Sequence, residues 1–241
     1  MKRPSLVFRH LGCGLTALLM TLASVTAHGQ DAAGPDTLTP FSATYSASMS
    51  KGISLSGAGR RSLRRQEDNT WLYRTRVDSF IADIDESLVF RWDNGRVIPL
   101  RYRYELSGLM IRDRSESIDF DWQAGTATGD HEGDPFTLTL KAGTLDPLGY
   151  QLQLRQDLKS GKREVTYPVI DKGDYDEDRF AVVDQPEGQP LKVEKVRDAD
   201  SKRQTLLWLD PDQDYLLVRL RQVEPDGSEY ELKLKEARLQ D

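Results

Sequence analysis

Few residues in this sequence have the types and spacing that catalysis or metal binding needs. His131 is the one histidine that lies far beyond the N-terminal segment, in the turn-like stretch "TGDHEGDP". A serine triad needs a histidine held by a carboxylate, and a zinc site without cysteine usually needs more than one histidine. We therefore expect His131 to be a solvated turn residue, and we predict no catalytic residues and no metal site.

The stretch "DYDED" places Asp174, Asp176 and Asp178 at the spacing of a calcium-binding loop. The sixth position of that loop is Arg179 where glycine is needed, and the twelfth is Gln185 where a glutamate is needed. The spacing alone therefore does not indicate a calcium site. No cofactor motif is found, and we expect no cofactor.

Two arginines in "ISLSGAGRRSLRR" lie where a strand would place apolar side chains. Arg61 and Arg65 share the alternation of Leu63, so a regular strand would point all three the same way. A buried arginine needs a carboxylate partner or an anionic ligand such as a phosphate or a fatty-acid headgroup. The favoured alternative is a bulge at Gly57 or Gly59, or a rim position from which both arginines reach water.

Three consecutive apolar residues, Leu109, Met110 and Ile111, interrupt the polar stretch "ELSGLMIRDR". They cannot all point into a sheet whose period is two, so at least one must face solvent, a helix or a bound molecule. We predict that they form an apolar loop at the mouth of the sheet and gate a ligand groove. The alternative is a bulge at Gly108 with the loop packed under a helix.

The elements that must position these residues are mostly strands. In "FSATYSASM", Phe41 to Met49, apolar and polar residues alternate, and the same alternation recurs in many later runs. Asn94-Gly95 accepts the positive φ angles of a tight hairpin turn. We count ten to twelve strands and predict an all-β fold, with a curved antiparallel sheet forming a barrel or half-barrel.

One segment, "LDPLGYQLQLRQDLKSGK", has the period of a single amphipathic helix from Asp146 to Lys159. Asp146 can cap the helix and Gly161 can end it. The helix either completes the core or covers an opening of the sheet as a lid.

The charged outer face predicted for the C-terminal strand, which contains Leu232, is typical of an edge strand.

The N-terminal segment sets the expected compartment. Lys2, Arg3 and Arg9 precede the apolar run "LGCGLTALLMTLASVTA", which is typical of a cleavable signal peptide over residues 1–29. The remaining residues, 30–241, form one expected β domain, and we predict a periplasmic protein with no transmembrane segment in the mature chain. Cys13 lies in the signal segment and is the only cysteine, so the mature chain has no disulfide.

Charge argues against nucleic-acid binding. The formal net charge is -6, and removal of the three basic residues of the signal segment, which contains no acid, makes it -9. Binding to a phosphate backbone needs a cationic surface.

The order of several stretches, "RVIPLRYRYE", "FDWQAGTATG", "GDPFTLTLKAGTLDPLGYQLQLRQDLKSGK", "VTYPVIDKG", "KVEKVRD" and "TLLWLDPDQDYLLVRLRQVEPDG", resembles domain-of-unknown-function family 3108 of exported bacterial proteins. The likeness covers the chain from Phe41 to Ala237. It implies a curved antiparallel sheet in the periplasm or envelope, similar by analogy to the half-barrels of lipoprotein carriers. It implies no activity.

We therefore expect a non-enzymatic periplasmic protein that binds an apolar or amphiphilic envelope molecule, with ligand contacts at Arg61, Arg65, Leu109, Met110 and Ile111. The expected partner is a lipid or another amphiphile, or an envelope protein. The alternative is a partner-binding scaffold that uses an exposed sheet edge, and a glycan-acting hydrolase comes third. A continuous apolar groove favours the first function, and a cleft with two facing carboxylates favours the third.

Overall fold

The alternating runs of the sequence form strands in the computed structural model, which describes residues 38–50, 54–80, 82–109 and 112–240. All of these residues belong to one compact unit, Ala33–Asp241. Within the described ranges there are fourteen strands and one α-helix, which is two strands more than the upper end of the ten to twelve predicted. The strands are β1 (Phe41–Ser50), β2 (Ser54–Arg65), β3 (Trp71–Ser79), β4 (Asp83–Asp93), β5 (Arg96–Ser107), β6 (Arg114–Asp121), β7 (Thr126–His131), β8 (Asp134–Thr139), β9 (Glu164–Asp171), β10 (Asp174–Asp184), β11 (Leu191–Val196), β12 (Gln204–Asp210), β13 (Leu216–Val223) and β14 (Glu229–Leu239).

These strands form one antiparallel sheet in the order β8-β7-β6-β5-β4-β3-β2-β1-β14-β13-β12-β11-β10-β9. The first and the last strand of the sequence are neighbours, with Phe41 opposite Leu239 and Ser50 opposite Glu229. β14 is therefore central, and the expectation that it forms an edge is wrong. Its outer charges instead form cross-strand ion pairs, such as Arg219 with Glu231 at 2.6 Å.

The sheet curls around the helix α1 (Gly149–Lys159). Gln153 of the helix accepts a hydrogen bond from the Val97 amide in β5 at 2.9 Å. On the other side, Tyr150 stacks on Phe180 of β10 with ring centroids 5.0 Å apart. Because β5 and β10 lie far apart in the strand order, only a strongly curved sheet brings both against one helix.

The curled sheet does not close. Its edge strands, β8 and β9, are not paired with each other, and the segment after β8 joins β9 through one isolated parallel bridge, Leu145 to Val169. The predicted fold class, a curved antiparallel sheet with one helix, is confirmed.

The helix completes the core and is not a lid. Each residue from Leu152 to Leu158 is buried, including the polar residues of the helix. Asp157, for example, accepts a hydrogen bond from the Tyr167 hydroxyl at 2.8 Å. The helix begins at Gly149 rather than at Asp146, because the Asp146 carboxylate accepts hydrogen bonds from the Leu148 and Gly149 amides and holds the residues between in a turn.

The predicted signal peptide, residues 1–29, lies outside the described residues. Within the described part of the chain, no helix is long and apolar enough to cross a membrane.

Candidate functional site

The helix fills one end of the space inside the sheet and leaves the other end open. Its contacts include the β4–β5 turn, where the Gln153 amide donates to Gly95, and the β12–β13 turn, where Arg155 pairs with Asp214 at 2.5 Å. Both turns lie at the same end, because alternate strands of an antiparallel sheet turn at the same end. We call the opposite end, where β1, β3, β5 and β13 finish, the open end.

An apolar groove of about 230 Å³ lies on the inner face at the open end. No residue of α1 lines it. The strands β1 to β4, β13 and β14 supply its apolar lining, and the main residues are Ala47, Met49, Gly57, Val77, Ala82, Ile84, Leu220, Tyr230 and Leu232. We call this feature the open-end groove.

Small residues on neighbouring strands create the open-end groove. Ala47 of β1 lies opposite Gly57 of β2, and Tyr45 lies opposite Gly59. A Cβ atom on Gly59 would lie 3.3 Å from the Tyr45 Cβ, so the glycine also allows the tyrosine to pack. A Cβ atom on Gly57 would lie 2.6 Å from the Asp78 carbonyl oxygen, so β2 approaches β3 too closely there for a side chain, and the small side chain of Ala47 on β1 leaves the adjoining space open.

A row of polar side chains crosses the inner face next to the groove. Groove residues Val77 and Ile84 pair across β3 and β4, and the next inward-facing pair is Thr75 with Glu86. The same row continues in register over six strands, from β2 to β7. We call it the polar row; its members are Arg61, Thr75, Glu86, Tyr104, Glu116 and His131.

Arg61 points into the protein and is only 4% exposed. Its strand pairs in unbroken register with β1 and β3 through Gly57 and Gly59, so the favoured bulge is absent from the described part of β2. Arg61 donates hydrogen bonds to the Thr75 hydroxyl at 3.1 Å and to the Gln151 side-chain oxygen at 2.5 Å. Both partners are neutral, and no described carboxylate forms an ion pair with Arg61.

The other predicted ligand residues are not brought together with Arg61. Arg65 lies at the helix-filled end, is exposed, and donates to Asn69 in the β2–β3 turn at 2.7 Å. Leu109 lies at the open end in the β5–β6 loop and is 79% exposed. Met110 and Ile111 lie outside the described residues.

A second cavity of about 470 Å³ adjoins the polar row at the open end. Glu86, Glu116 and Asp171 line it, together with Tyr102 and Tyr104. We call it the carboxylate cleft.

Burial sets the protonation of two carboxyl groups in this cleft. Glu116 is 5% exposed, and burial, helped by the Asp171 carboxylate, raises its pKa to about 7. Burial also raises the pKa of Glu86, which accepts a hydrogen bond from the Tyr102 hydroxyl at 2.7 Å. Both groups therefore hold a proton at a higher pH than ordinary glutamates.

The sequence predicts that His131 is a solvated turn residue, but the structure places it elsewhere. It ends β7 and lines the carboxylate cleft, with its Nδ1 atom 3.8 Å from the Glu116 carboxylate. That Nδ1 atom is buried and has no hydrogen-bond partner among the described residues. The register of β6 and β7, which the sequence does not show, places His131 opposite Glu116.

The sequence interpretation missed Glu86 and Glu116, although a signal for both was present. Glu86 shares the alternation of Leu88, and Glu116 shares that of Ile118, as Arg61 shares that of Leu63. A charged residue on the apolar side of a strand is the same signal that marks the arginines. Applied to every strand, the same criterion finds three charged members of the polar row.

The carboxylates of "DYDED" do not converge on one point. Asp178 is buried and pairs with Lys195 at 2.5 Å, whereas Asp174 and Asp176 are exposed on β10. Among the described residues, no group of histidine, cysteine, aspartate or glutamate side chains is arranged to hold a metal ion.

A solved structure has a similar fold. A β-barrel-like protein of the DUF1849 family from Brucella abortus is 12% identical, and the match covers 85% of this chain and 99% of that one with a TM-score of 0.58. A putative outer membrane lipoprotein-sorting protein domain from Vibrio parahaemolyticus is also 12% identical, with 86% and 88% of the two chains covered. The TM-score of that match is 0.25.

Sequence comparison gives the family directly. No curated protein is similar to the chain. The model of the DUF3108 family, described as proteins of unknown function, matches residues 41–235. That range spans all but the end of the strand region, and the chain therefore belongs to the DUF3108 family.

Proposed function

We propose that this protein binds an apolar or amphiphilic molecule of the cell envelope without chemically changing it. The observation that carries the proposal is the open-end groove, which has apolar walls from six strands and about 230 Å³ of space. An engineered apolar cavity of about 150 Å³ binds benzene, so the groove has room for a longer apolar group. Mostly apolar concave surfaces with a few polar groups are typical of small-molecule sites.

The carboxylate cleft makes an amphiphile a better fit than a purely apolar ligand. Ile84 lines the groove and Glu86 lines the cleft, and these residues are adjacent inward-facing positions on β4. Two residues of a strand span about 7 Å, so one molecule can reach both sites. The apolar part of the ligand would occupy the groove, and its polar head would contact the cleft.

The same carboxyl groups do not favour hydrolysis. A glycan hydrolase uses two carboxyl groups whose environments push their pKa values apart, one kept protonated as an acid and one ionised as a base or nucleophile. Burial raises the pKa of both Glu86 and Glu116. Glu86 and Glu116 therefore do not form such an acid–base pair with each other.

The expected signal peptide supports a periplasmic location for this binding, where envelope lipids are the available amphiphiles. A partner-binding scaffold would need a free sheet edge. One of the two edges, β9, is partly occupied by the Leu145 bridge, which favours ligand binding over edge pairing.

Filling the groove tests the proposal. Ala47→Phe places a phenyl ring in the groove, and Val77→Phe does so from β3; Ser42→Phe is the control, because Ser42 lies on the exposed face of β1. We expect the wild type to bind a fluorescent fatty acid in a titration, and both filling variants to bind it at least about tenfold more weakly. The control should bind like the wild type.

Two results would reject this function. One is a wild type that takes up no fluorescent fatty acid. The other is undiminished uptake by both filling variants at unchanged melting temperature, because such uptake would occur elsewhere on the protein.

A further inference from the structure

Two large apolar side chains project from the open end into solvent. Phe80 is 85% exposed and Leu109 is 79% exposed, whereas the next most exposed large apolar residue of the described part, Val183, is 48% exposed. Phe80 lies in the β3–β4 turn and Leu109 in the β5–β6 loop. These two hairpin tips are neighbours at one end of the sheet, roughly 10 Å apart by the spacing of two strands.

The first tip is part of the wall of the open-end groove. Ser79 and Ala82, which flank Phe80 in the turn, both line the groove. The Ser79 hydroxyl donates to the Ala82 carbonyl at 2.6 Å and accepts from its amide at 3.0 Å. The Ser79 amide also donates to Asp83 at 3.3 Å. These bonds close the turn with Phe80 directed away from the groove, into solvent.

We propose that Phe80 and Leu109 insert into the surface of a lipid bilayer and bring the mouth of the open-end groove against the membrane. This inference rests on the proposed function, because the bilayer is the source or the destination of the bound amphiphile. A ligand could then pass between membrane and groove without crossing water. An exposed phenylalanine and leucine at adjacent tips are suited to the apolar edge of the headgroup region.

The exposed area fits a membrane better than a protein partner. A fully buried aromatic side chain removes about 150 to 250 Å² from water, so the two tips together offer at most roughly 400 Å². A stable protein interface needs about 800 Å² on each partner, in one contiguous surface. A bilayer accepts isolated apolar side chains and needs no matching surface.

The charges beside the tips show no excess of basic groups, which determines the kind of membrane. Asp78 pairs with Arg60 at 2.7 Å beside the first tip. Beside the second, Arg112 and Arg114 lie 3.4 and 3.6 Å from Glu132, and Asp113 lies between them in sequence. Asp83, which bonds Ser79 in the first tip, brings the acidic groups to four against three arginines, and a surface without an excess of basic groups does not select an anionic membrane. We therefore expect binding to zwitterionic lipid that depends little on salt.

Flotation of the mature chain with phosphatidylcholine vesicles tests this inference. The test variant is Phe80→Ser combined with Leu109→Ser. The matched control is Val183→Ser, because Val183 is an exposed apolar residue near the end of β10, at the opposite end of the sheet.

We expect the wild type and the control to float with the vesicles at both low and high salt, about 0.05 and about 0.5 M, because salt screens charge–charge attraction and not apolar insertion. The double variant should bind the vesicles at least about tenfold more weakly. It should still take up the fluorescent fatty acid from solution, because neither substitution lies in the groove lining.

Three vesicle-binding results would overturn the inference. They are a wild type that does not float, a double variant that floats as well as the wild type, and binding that is abolished by salt. Self-association of the wild type that the double variant loses, without vesicle binding, would assign the tips to a second copy of the chain and also overturn it. Fatty-acid uptake is measured separately from flotation. An Ala47→Phe variant that floats but takes up no fatty acid agrees with both proposals. A wild type that floats but takes up no fatty acid rejects ligand binding in the groove and leaves membrane insertion standing.

Discussion

At the scale of single residues, the described interior contains ionisable side chains that form no ion pair. Asp146 is fully buried; its Oδ1 atom accepts two backbone hydrogen bonds, and its Oδ2 atom has no partner among the described residues. Burial raises the pKa of this carboxyl group to about 7. The folded state therefore holds a proton that the unfolded chain releases near pH 4.

This proton predicts how stability depends on pH. The contribution of Asp146 is fully present below about pH 4, the unfolded pKa, and is lost as the pH rises through about 7 in the folded state. Asp146→Asn keeps an oxygen acceptor for the two amides and cannot ionise. Urea unfolding between about pH 4 and 8 should show that the variant gains stability relative to the wild type as the pH rises. A constant difference between the two proteins over this range would contradict the raised pKa.

Arg61 predicts an asymmetry between two substitutions. Removing a buried charge whose hydrogen-bond partners are both neutral costs little, so Arg61→Met should leave the free energy of unfolding unchanged or raise it. Thr75→Val removes one acceptor and leaves the buried guanidinium unsatisfied, which should cost about 1 to 3 kcal/mol. Chemical denaturation measures both, and a larger loss in Arg61→Met than in Thr75→Val would show that the arginine itself stabilises the fold.

The sequence indicated part of this chemistry. A regular strand around Leu63 would point Arg61 inward, whereas the favoured interpretation was a bulge or a rim position; the structure has the regular strand and places Arg61 inside. His131 could not be placed in the same way, because its contact with Glu116 depends on how β6 and β7 are paired. A single strand shows which face a residue occupies, but only the register shows which residues it meets.

At the scale of elements, the helix is held to the sheet by a buried ion network. Arg155, whose side chain is 5% exposed, and Lys159 both contact Asp214 in the β12–β13 turn at 2.5 Å. Asp214 has a φ of 53°, a conformation that asparagine also tolerates. The network therefore ties the helix to a turn that lies 55 residues or more away in sequence.

Asp214→Asn isolates the charge in this network. The variant keeps the backbone conformation but leaves Arg155 without an anionic partner, so we expect it to lose about 3 kcal/mol of unfolding free energy. The control Asp200→Asn, at an exposed loop position, should change stability by less than about 0.5 kcal/mol. Similar denaturation midpoints for both variants would mean that the charge of Asp214 does not stabilise the docking of the helix.

Strands and helix were predictable because each has a local period, whereas the burial of the helix was not. Its polar residues Gln153, Arg155 and Asp157 indicate a solvent-exposed face, yet all are buried. Their partners, Val97, Asp214 and Tyr167, come from three distant parts of the chain. Local patterns do not contain these contacts.

At the scale of the whole molecule, the pairing of β1 with β14 joins the two ends of the strand region. This pairing puts Ala47 between Gly57 on β2 and Leu232 on β14, and so places the groove across the junction. The sequence predicts a curved sheet, but a curved sheet with or without a groove would have the same alternation. The groove depends on which small residues meet across strands.

Native mass spectrometry of protein purified from a bacterial periplasm tests the central claim most directly. We predict that the wild type carries an added mass of lipid size, and that Ala47→Phe, with its groove filled, has the mass of the chain alone. The Ser42→Phe control should carry the same added mass as the wild type. A wild type with no bound mass, or the same bound mass on Ala47→Phe at wild-type melting temperature, would contradict the claim that the open-end groove binds an envelope amphiphile.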